Sequence, residues 1–112
     1  MKIETQKRDN AFVLAVSGRL DSQTVMEAEK EVTRWLDAGE TKIVCDLSGL
    51  EYISSAGLRL ILVAAKRLKA AGGGFCLCGV QGPIQEILDI AGFTKIIPIR
   101  ATVDEALASV VG

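Results

Sequence analysis

A chain of 112 residues can bury one hydrophobic core but not two, so we expect a single domain over residues 1–112. Hydrophobic residues make up 49% of the chain and charged residues 24%, a composition that excludes a disordered tail. The formal net charge is −1 with no basic block, which argues against a protein that binds nucleic acid through the phosphate backbone.

The first third of the chain predicts two antiparallel strands and a helix. Residues 3–5 alternate apolar and polar side chains like an edge strand, whereas residues 11–17 are continuously apolar like a buried strand. The polar residues 7–10 between them predict a hairpin turn. A helix of about 16 residues follows and ends at Gly39. Its candidate N-caps are Asp21, Ser22 and Thr24, and Thr24 has capping-box spacing to Glu27.

From residue 42 onward, strands and helices alternate. Pro83 suits the first turn of a short helix. Pro98 indicates that the last strand lies at a sheet edge, because proline cannot donate a ladder hydrogen bond. Thr102 and Glu105 have capping-box spacing at the start of the final helix. The predicted elements are strands at 42–47, 75–79 and 95–99 and helices at 55–71, 83–91 and 103–111.

This order of elements predicts an α/β fold. Strands separated by helices pair in parallel through right-handed crossovers. The opening hairpin adds an antiparallel pair, so we expect a mixed, mostly parallel β-sheet with four helices in the order ββαβαβαβα.

The absence of histidine excludes catalysis that uses a histidine base, although a serine–lysine pair stays open. Neither a Ser-His-Asp nor a Cys-His arrangement can form, and no glycine-rich nucleotide motif follows a strand. We therefore expect a protein that is not an enzyme and needs no cofactor. Cys45, Cys76 and Cys78 lie in apolar strand segments, and without histidine they predict buried thiols and no metal site. Cys76 and Cys78 have strand spacing, so they should share a face.

No segment of the sequence predicts membrane insertion. The longest apolar run, residues 60–65, is far too short to span a bilayer. The first nine residues also lack the apolar segment of a signal peptide. We expect a cytoplasmic protein.

The most informative segment, residues 46–58, joins a strand to the long helix. It reads Asp-Leu-Ser-Gly-Leu-Glu-Tyr-Ile-Ser-Ser-Ala-Gly-Leu and ends with Ser54 and Ser55 at the start of that helix. A hydroxyl there lies beside free backbone N–H groups and the positive end of the helix dipole, where negative charge is stabilised. Plain helix capping is the alternative, because a serine N-cap is worth about 1 kcal/mol over alanine.

This segment resembles the phosphorylation loop of the anti-sigma-factor antagonists, the stand-alone members of the STAS (sulfate transporter and anti-sigma antagonist) family. In that family it often reads Asp-Ser-Ser-Gly-Leu or Asp-Ser-Thr-Gly-Leu, and the first hydroxyl is phosphorylated. Aligning Gly57 and Leu58 with the family's Gly-Leu implies that Ser55 is the phosphoacceptor. Ser54 then replaces the Asp and is the alternative acceptor, while Ala56 replaces the second hydroxyl residue.

The resemblance also implies a partner-binding surface. The segment Gly18-Arg-Leu-Asp21 resembles the family's Gly-x-Leu-Asp motif, whose Asp lies near the phosphorylation loop and helps to bind the partner. Capping of the following helix is an equal alternative for Asp21. Asp46 is expected to brace the loop from the end of its strand. The implied partner-binding residues are Asp21, Ser54, Ser55, Ala56, Gly57, Leu58 and Arg59.

The function that the resemblance implies is that of an anti-sigma factor antagonist. Unphosphorylated, the protein would bind an anti-sigma factor that is also a serine/threonine kinase, which would free a sigma factor for transcription. Phosphorylation of Ser55 would release it, and a serine phosphatase would restore the binding form. The alternative is a constitutive STAS subunit of a lipid-transport or transporter complex. The oligomeric state is left open between a monomer and a weak dimer.

Overall fold

The computed structural model describes residues 1–8 and 10–111, with only the backbone of residue 111. The strands are β1 (Lys2–Arg8), β2 (Ala11–Leu20), β3 (Lys42–Asp46), β4 (Leu50–Ile53), β5 (Gly74–Cys78) and β6 (Ile99–Arg100). The helices are α1 (Val25–Asp37), α2 (Ser55–Ala70), α3 (Gly82–Ile90) and α4 (Val103–Val111), with a short 3-10 helix at Phe93–Lys95.

The six strands form one mixed sheet in the order β1-β2-β3-β5-β6, with β4 paired to β2. β1 is antiparallel to β2, from Lys2 opposite Ser17 to Arg8 opposite Ala11. All other pairs are parallel. The predicted α/β class, mostly parallel sheet and four helices are confirmed. The predicted hairpin turn includes residue 9, which lies outside the described residues.

Helices cover both faces of the sheet. Successive side chains of a strand point to opposite faces, and the central strands carry apolar side chains on both. Leu14, Cys45 and Leu77 face the larger core, which includes side chains from α1, α2 and α3. The smaller core lies against α4 and contains Cys76 and Cys78, which confirms that these two cysteines share a face. All three cysteines are buried free thiols.

The loop predicted between the third strand and the long helix contains an additional strand, β4. β3 pairs with Phe12–Ala15 of β2, and β4 pairs with the carboxyl end of the same strand, with Leu20 opposite Ile53. A tight turn joins β3 to β4, and the Asp46 carboxylate braces it by accepting the Ser48 N–H at 3.0 Å. The predicted order ββαβαβαβα is therefore corrected to ββαββαβαβα.

The last strand is shorter than predicted. Only Ile99–Arg100 pair with β5, although this strand does lie at the sheet edge as expected. Gly92 adopts φ 79° after α3, and the chain then turns so that Phe93 and Ile97 enter the core. Residues 95–98 were predicted to be extended. They instead belong to a 3-10 helix and turn that bury Phe93 and Ile97.

Candidate functional site

Ser54 and Ser55 form the start of α2 and have different environments. Ser54 is the N-cap, with an extended backbone, and its Oγ accepts the Gly57 N–H at 3.3 Å. Its carbonyl oxygen accepts the Leu58 N–H at 2.9 Å. Ser55 is the first residue of the helix and is exposed, whereas Ser54 is partly buried. The hydroxyl nearest to solvent is therefore that of Ser55.

The pairing of β2 with β4 brings the Asp21 loop beside these serines. Leu20 and Ile53 are register partners, so Asp21 and Ser54 each follow the last residue of one of two neighbouring parallel strands. A hydrogen bond from the Ser54 N–H to the Leu20 carbonyl oxygen, at 2.9 Å, joins the two loops. The two motifs singled out in the sequence thus lie at one edge of the sheet.

Asp21 is held in a tight turn that favours its ionised form. Its Oδ1 accepts the backbone N–H groups of Gln23 at 3.0 Å and Thr24 at 3.1 Å. The hydrogen bond from Gln23 holds the pKa of Asp21 below its usual range, and the bonds from Thr24 and the charge of Arg19 act in the same direction. The carboxylate is therefore negatively charged at neutral pH.

The turn that contains Asp21 replaces the predicted capping box. Thr24 is the N-cap of α1, but its side chain makes no capping hydrogen bond. Its hydroxyl instead donates to the Arg19 carbonyl oxygen at 2.8 Å and accepts the Asp21 N–H at 2.9 Å. The side chains of Asp21 and Thr24 therefore fix the turn that precedes the helix, and the predicted pairing of Thr24 with Glu27 is wrong.

Two residues beside Asp21 were not predicted as part of the site. Arg19 lies opposite Tyr52 in the β2–β4 register, and its guanidinium carbon is 4.1 Å from the centre of the Tyr52 ring. The Nε atom of Arg19 is 3.6 Å from Oδ2 of Asp21. Residues two apart in a strand lie on the same face of the sheet. Extending the predicted strand past Gly18 would therefore have placed Arg19 and Asp21 on one face.

Gly57 and Leu58 lie behind the exposed Ser55. A methyl group on Gly57 would lie 2.8 Å from Ile53 Cγ1 and 3.0 Å from Leu20 Cγ, so only glycine permits this approach of the helix to the strand ends. Leu58 is partly buried and packs against the larger core. Gly57 and Leu58 therefore hold the first turn of α2, which carries the serines, against the strand ends and the core.

Ala56 and Arg59 lie on the α1-facing side of α2. They line a groove of 290 Å³ between α1 and α2. Arg59 is exposed and forms no salt bridge within the described part of the chain. The first turn of α2 contains no acidic residue. A negative group on Ser55 would therefore meet the positive helix terminus without repulsion from that turn.

Within residues 1–8 and 10–111, no three His, Cys, Asp or Glu side chains cluster so as to hold a metal ion. In the same residues, no helix is long and apolar enough to cross a membrane.

Comparison with known proteins identifies the family. Residues 2–106 match the family model of the STAS domain. This chain belongs to the STAS domain family. A relative from Bordetella bronchiseptica, BtrV, is named as an anti-sigma factor antagonist and is 35% identical over 97% of this chain and 94% of its own length. The anti-sigma F factor antagonist of Paenibacillus polymyxa is 29% identical over 88% of this chain and 86% of its own length.

A solved structure agrees with the architecture of this STAS domain. The crystal structure of an anti-sigma factor antagonist from Mycobacterium paratuberculosis has a TM-score of 0.91 to this chain at 26% identity. The match covers 99% of this chain and 94% of the other. The candidate site of this STAS domain is the sheet edge where the Asp21 loop lies beside Ser54 and Ser55.

Proposed function

We propose that this STAS domain is an anti-sigma factor antagonist that is switched by phosphorylation of Ser55. The observation that carries the proposal is an exposed serine at the first position of α2, next to the loop of an ionised aspartate. The relatives named as anti-sigma factor antagonists support the same role. The unphosphorylated protein would bind an anti-sigma factor in the cytoplasm and so regulate transcription by freeing a sigma factor.

The environments of the two serines favour Ser55 as the phosphoacceptor. The Ser54 hydroxyl accepts the Gly57 N–H, so its modification would disturb the start of α2. Ser55 is exposed, and no hydrogen bond of the described residues engages its side chain. A kinase could reach its Oγ without disrupting the helix.

The kinase in this proposal is the anti-sigma factor itself, and this chain is its substrate. Ser55 Oγ attacks the γ-phosphorus of ATP, the bond to ADP breaks, and the hydroxyl proton leaves to a base of the kinase. The phosphoserine carries about −1.5 to −2 charges. In an interface that fits a neutral hydroxyl beside the Asp21 carboxylate, that charge weakens binding by repulsion and by its cost of desolvation. A serine phosphatase would remove the phosphate and restore binding.

Mass spectrometry after incubation with the cognate anti-sigma factor kinase and ATP tests the assignment. We expect one phosphate, on Ser55. A Ser55→Ala variant should stay bound to the kinase, whereas Ser55→Asp should bind poorly. Phosphate on Ser54, or on neither serine, would contradict the proposal. An unmodified chain recovered in a transporter complex would favour the constitutive subunit instead.

A further inference from the structure

We propose that the groove between α1 and α2 is a second docking site for the anti-sigma factor kinase, and this inference rests on the proposed function. The occupant is an apolar side chain of the kinase on a segment that also presents a carboxylate to Arg59. Ser55 and the Asp21 loop would contact the active site of the kinase, while the groove would hold a part of its surface farther from the ATP.

The groove has an apolar floor and an exposed apolar rim. Its floor includes Val32 and Ala64, which are buried, and Leu60, which is partly buried. Val63 lines the groove and is 46% exposed. The volume of 290 Å³ lies at the lower limit of small-molecule pockets, which suits a protruding side chain better than an enclosed ligand. Covering this surface would remove apolar area from water, the main favourable term in protein association.

The charged residues on the two walls define the chemistry of the occupant. Arg67 lines the groove but is paired with Asp37 at 3.4 Å. Arg59 on the same wall and Glu29 on the opposite wall have no salt-bridge partner in the described residues. A complementary segment therefore carries a carboxylate toward Arg59 and a basic group toward Glu29.

An interface of standard size that is centred on Ser55 would reach this groove. A standard protein interface covers about 800 Å² on each partner, which corresponds to a disc with a radius of about 16 Å. Val63 is eight residues after Ser55 on one helix, or about 12 Å along its axis. Arg59 lies between them, so a kinase centred on Ser55 reaches the rim of the groove.

Binding titrations with the purified kinase that phosphorylates this chain, saturated with ADP, test the inference. Val63→Glu places a charge on the rim and should weaken the affinity by about tenfold or more. Ile90→Glu is the matched control, because Ile90 is 88% exposed on α3 and does not line the groove. Its affinity should stay within about twofold of that of the wild type. Val63→Ala, which keeps the helix, should weaken binding by about threefold.

An Arg59 variant tests whether a carboxylate of the kinase pairs with this residue. Arg59→Gln should weaken binding and reduce its dependence on salt, because a surface ion pair is lost. Wild-type affinity for Val63→Glu and Val63→Ala would overturn the inference, even if Ser55 is phosphorylated normally. Dissociation of a dimer of this chain by Val63→Glu, with unchanged kinase affinity, would assign the groove to self-association instead. If wild-type protein neither binds the kinase nor is phosphorylated on Ser55, the proposed function itself fails.

Discussion

Ser54 and Ser55 are adjacent in sequence, but the fold gives them separate tasks. Ser54 caps α2 through the Gly57 N–H, while Ser55 presents its side chain to solvent one residue later. The sequence alone leaves both capping and phosphorylation open for these serines. The geometry assigns capping to Ser54, and the assignment of phosphorylation to Ser55 is our proposal.

Alanine substitutions should separate the two serines. Ser54→Ala removes the capping oxygen and should lower the free energy of unfolding by about 1 kcal/mol. Ser55→Ala should leave that free energy within about 0.5 kcal/mol, because Ser55 is exposed and is not the cap. Urea unfolding of both variants measures the difference. Equal losses of stability would show that the capping roles have been assigned incorrectly.

Replacement of Asp21 by asparagine should reduce partner binding more than stability. Asparagine can still accept the N–H groups of Gln23 and Thr24, but it lacks the charge. We expect the affinity for the anti-sigma factor kinase to fall by about fivefold or more, with a small change in melting temperature. Wild-type affinity with an altered melting temperature would leave Asp21 as a structural residue of the turn.

The pH dependence of stability offers a second measurement on the same variant. The pKa of Asp21 is lower in the folded protein, so its ionised form adds stability above the usual pKa of about 3.9. That contribution is lost as the pH falls through the folded-state pKa. The stability difference between wild type and Asp21→Asn should therefore be larger at pH 7 than at pH 3. A difference that does not change with pH would contradict the role of the carboxylate charge.

At the scale of elements, the close approach of α2 to the ends of β2 and β4 positions the site. Gly57 permits this approach because its missing side chain leaves room for Leu20 and Ile53. The start of α2 is therefore in direct contact with the ends of both strands, from which the two loops begin. A shift of α2 would move Ser55 relative to Asp21.

Gly57→Ala should push α2 away from the sheet. The new methyl group would meet buried side chains at 2.8 to 3.1 Å, and we expect a loss of about 1 to 3 kcal/mol of stability. Gly82→Ala is the matched control, because Gly82 begins α3 and has no atom within 4 Å of the added methyl group. Thermal or urea unfolding should show no loss for the control. A stable Gly57→Ala variant would show that the helix start can shift at little cost.

The sequence predicted the long elements well and the short ones poorly. The apolar pattern indicated β3 and β5, whose consecutive side chains are buried on both faces of the sheet, and all four helices, each of which buries one face. β4 was missed because its pairing partner is the extension of β2 beyond Gly18, more than thirty residues earlier. Gly18, with φ 86°, suggested a strand end but lies within β2, where the register against β4 shifts: Gly18 pairs with Leu50 and Arg19 with Tyr52, which leaves Glu51 as the extra residue.

For the whole molecule, the two cores on opposite faces of the sheet keep all three thiols away from solvent. Burial raises the pKa of Cys45 and of Cys78 to about 12 and raises that of Cys76 as well. Thiolate, the reactive form, is therefore scarce at neutral pH. The fold therefore keeps these cysteines out of reach of solvent reagents.

We expect the cysteines to react with a thiol reagent only when the whole protein unfolds. At pH 8 the native protein should react negligibly with an aromatic disulfide reagent, whereas the denatured chain should release three equivalents, one for each cysteine. Metal analysis of protein purified without chelators should find no stoichiometric zinc or iron. A rapidly reacting thiol in the native protein, or one metal ion per chain, would contradict the structural role of the cysteines.

The proposed switch is a phosphate on Ser55 that weakens partner binding. The most direct measurement is a titration of the anti-sigma factor kinase with unphosphorylated protein and with protein phosphorylated only on Ser55. We predict tight binding of the unphosphorylated form and at least about a hundredfold weaker binding of the phosphorylated form, because the added charge must be desolvated beside Asp21. Equal affinity of the two forms would contradict a switch at Ser55.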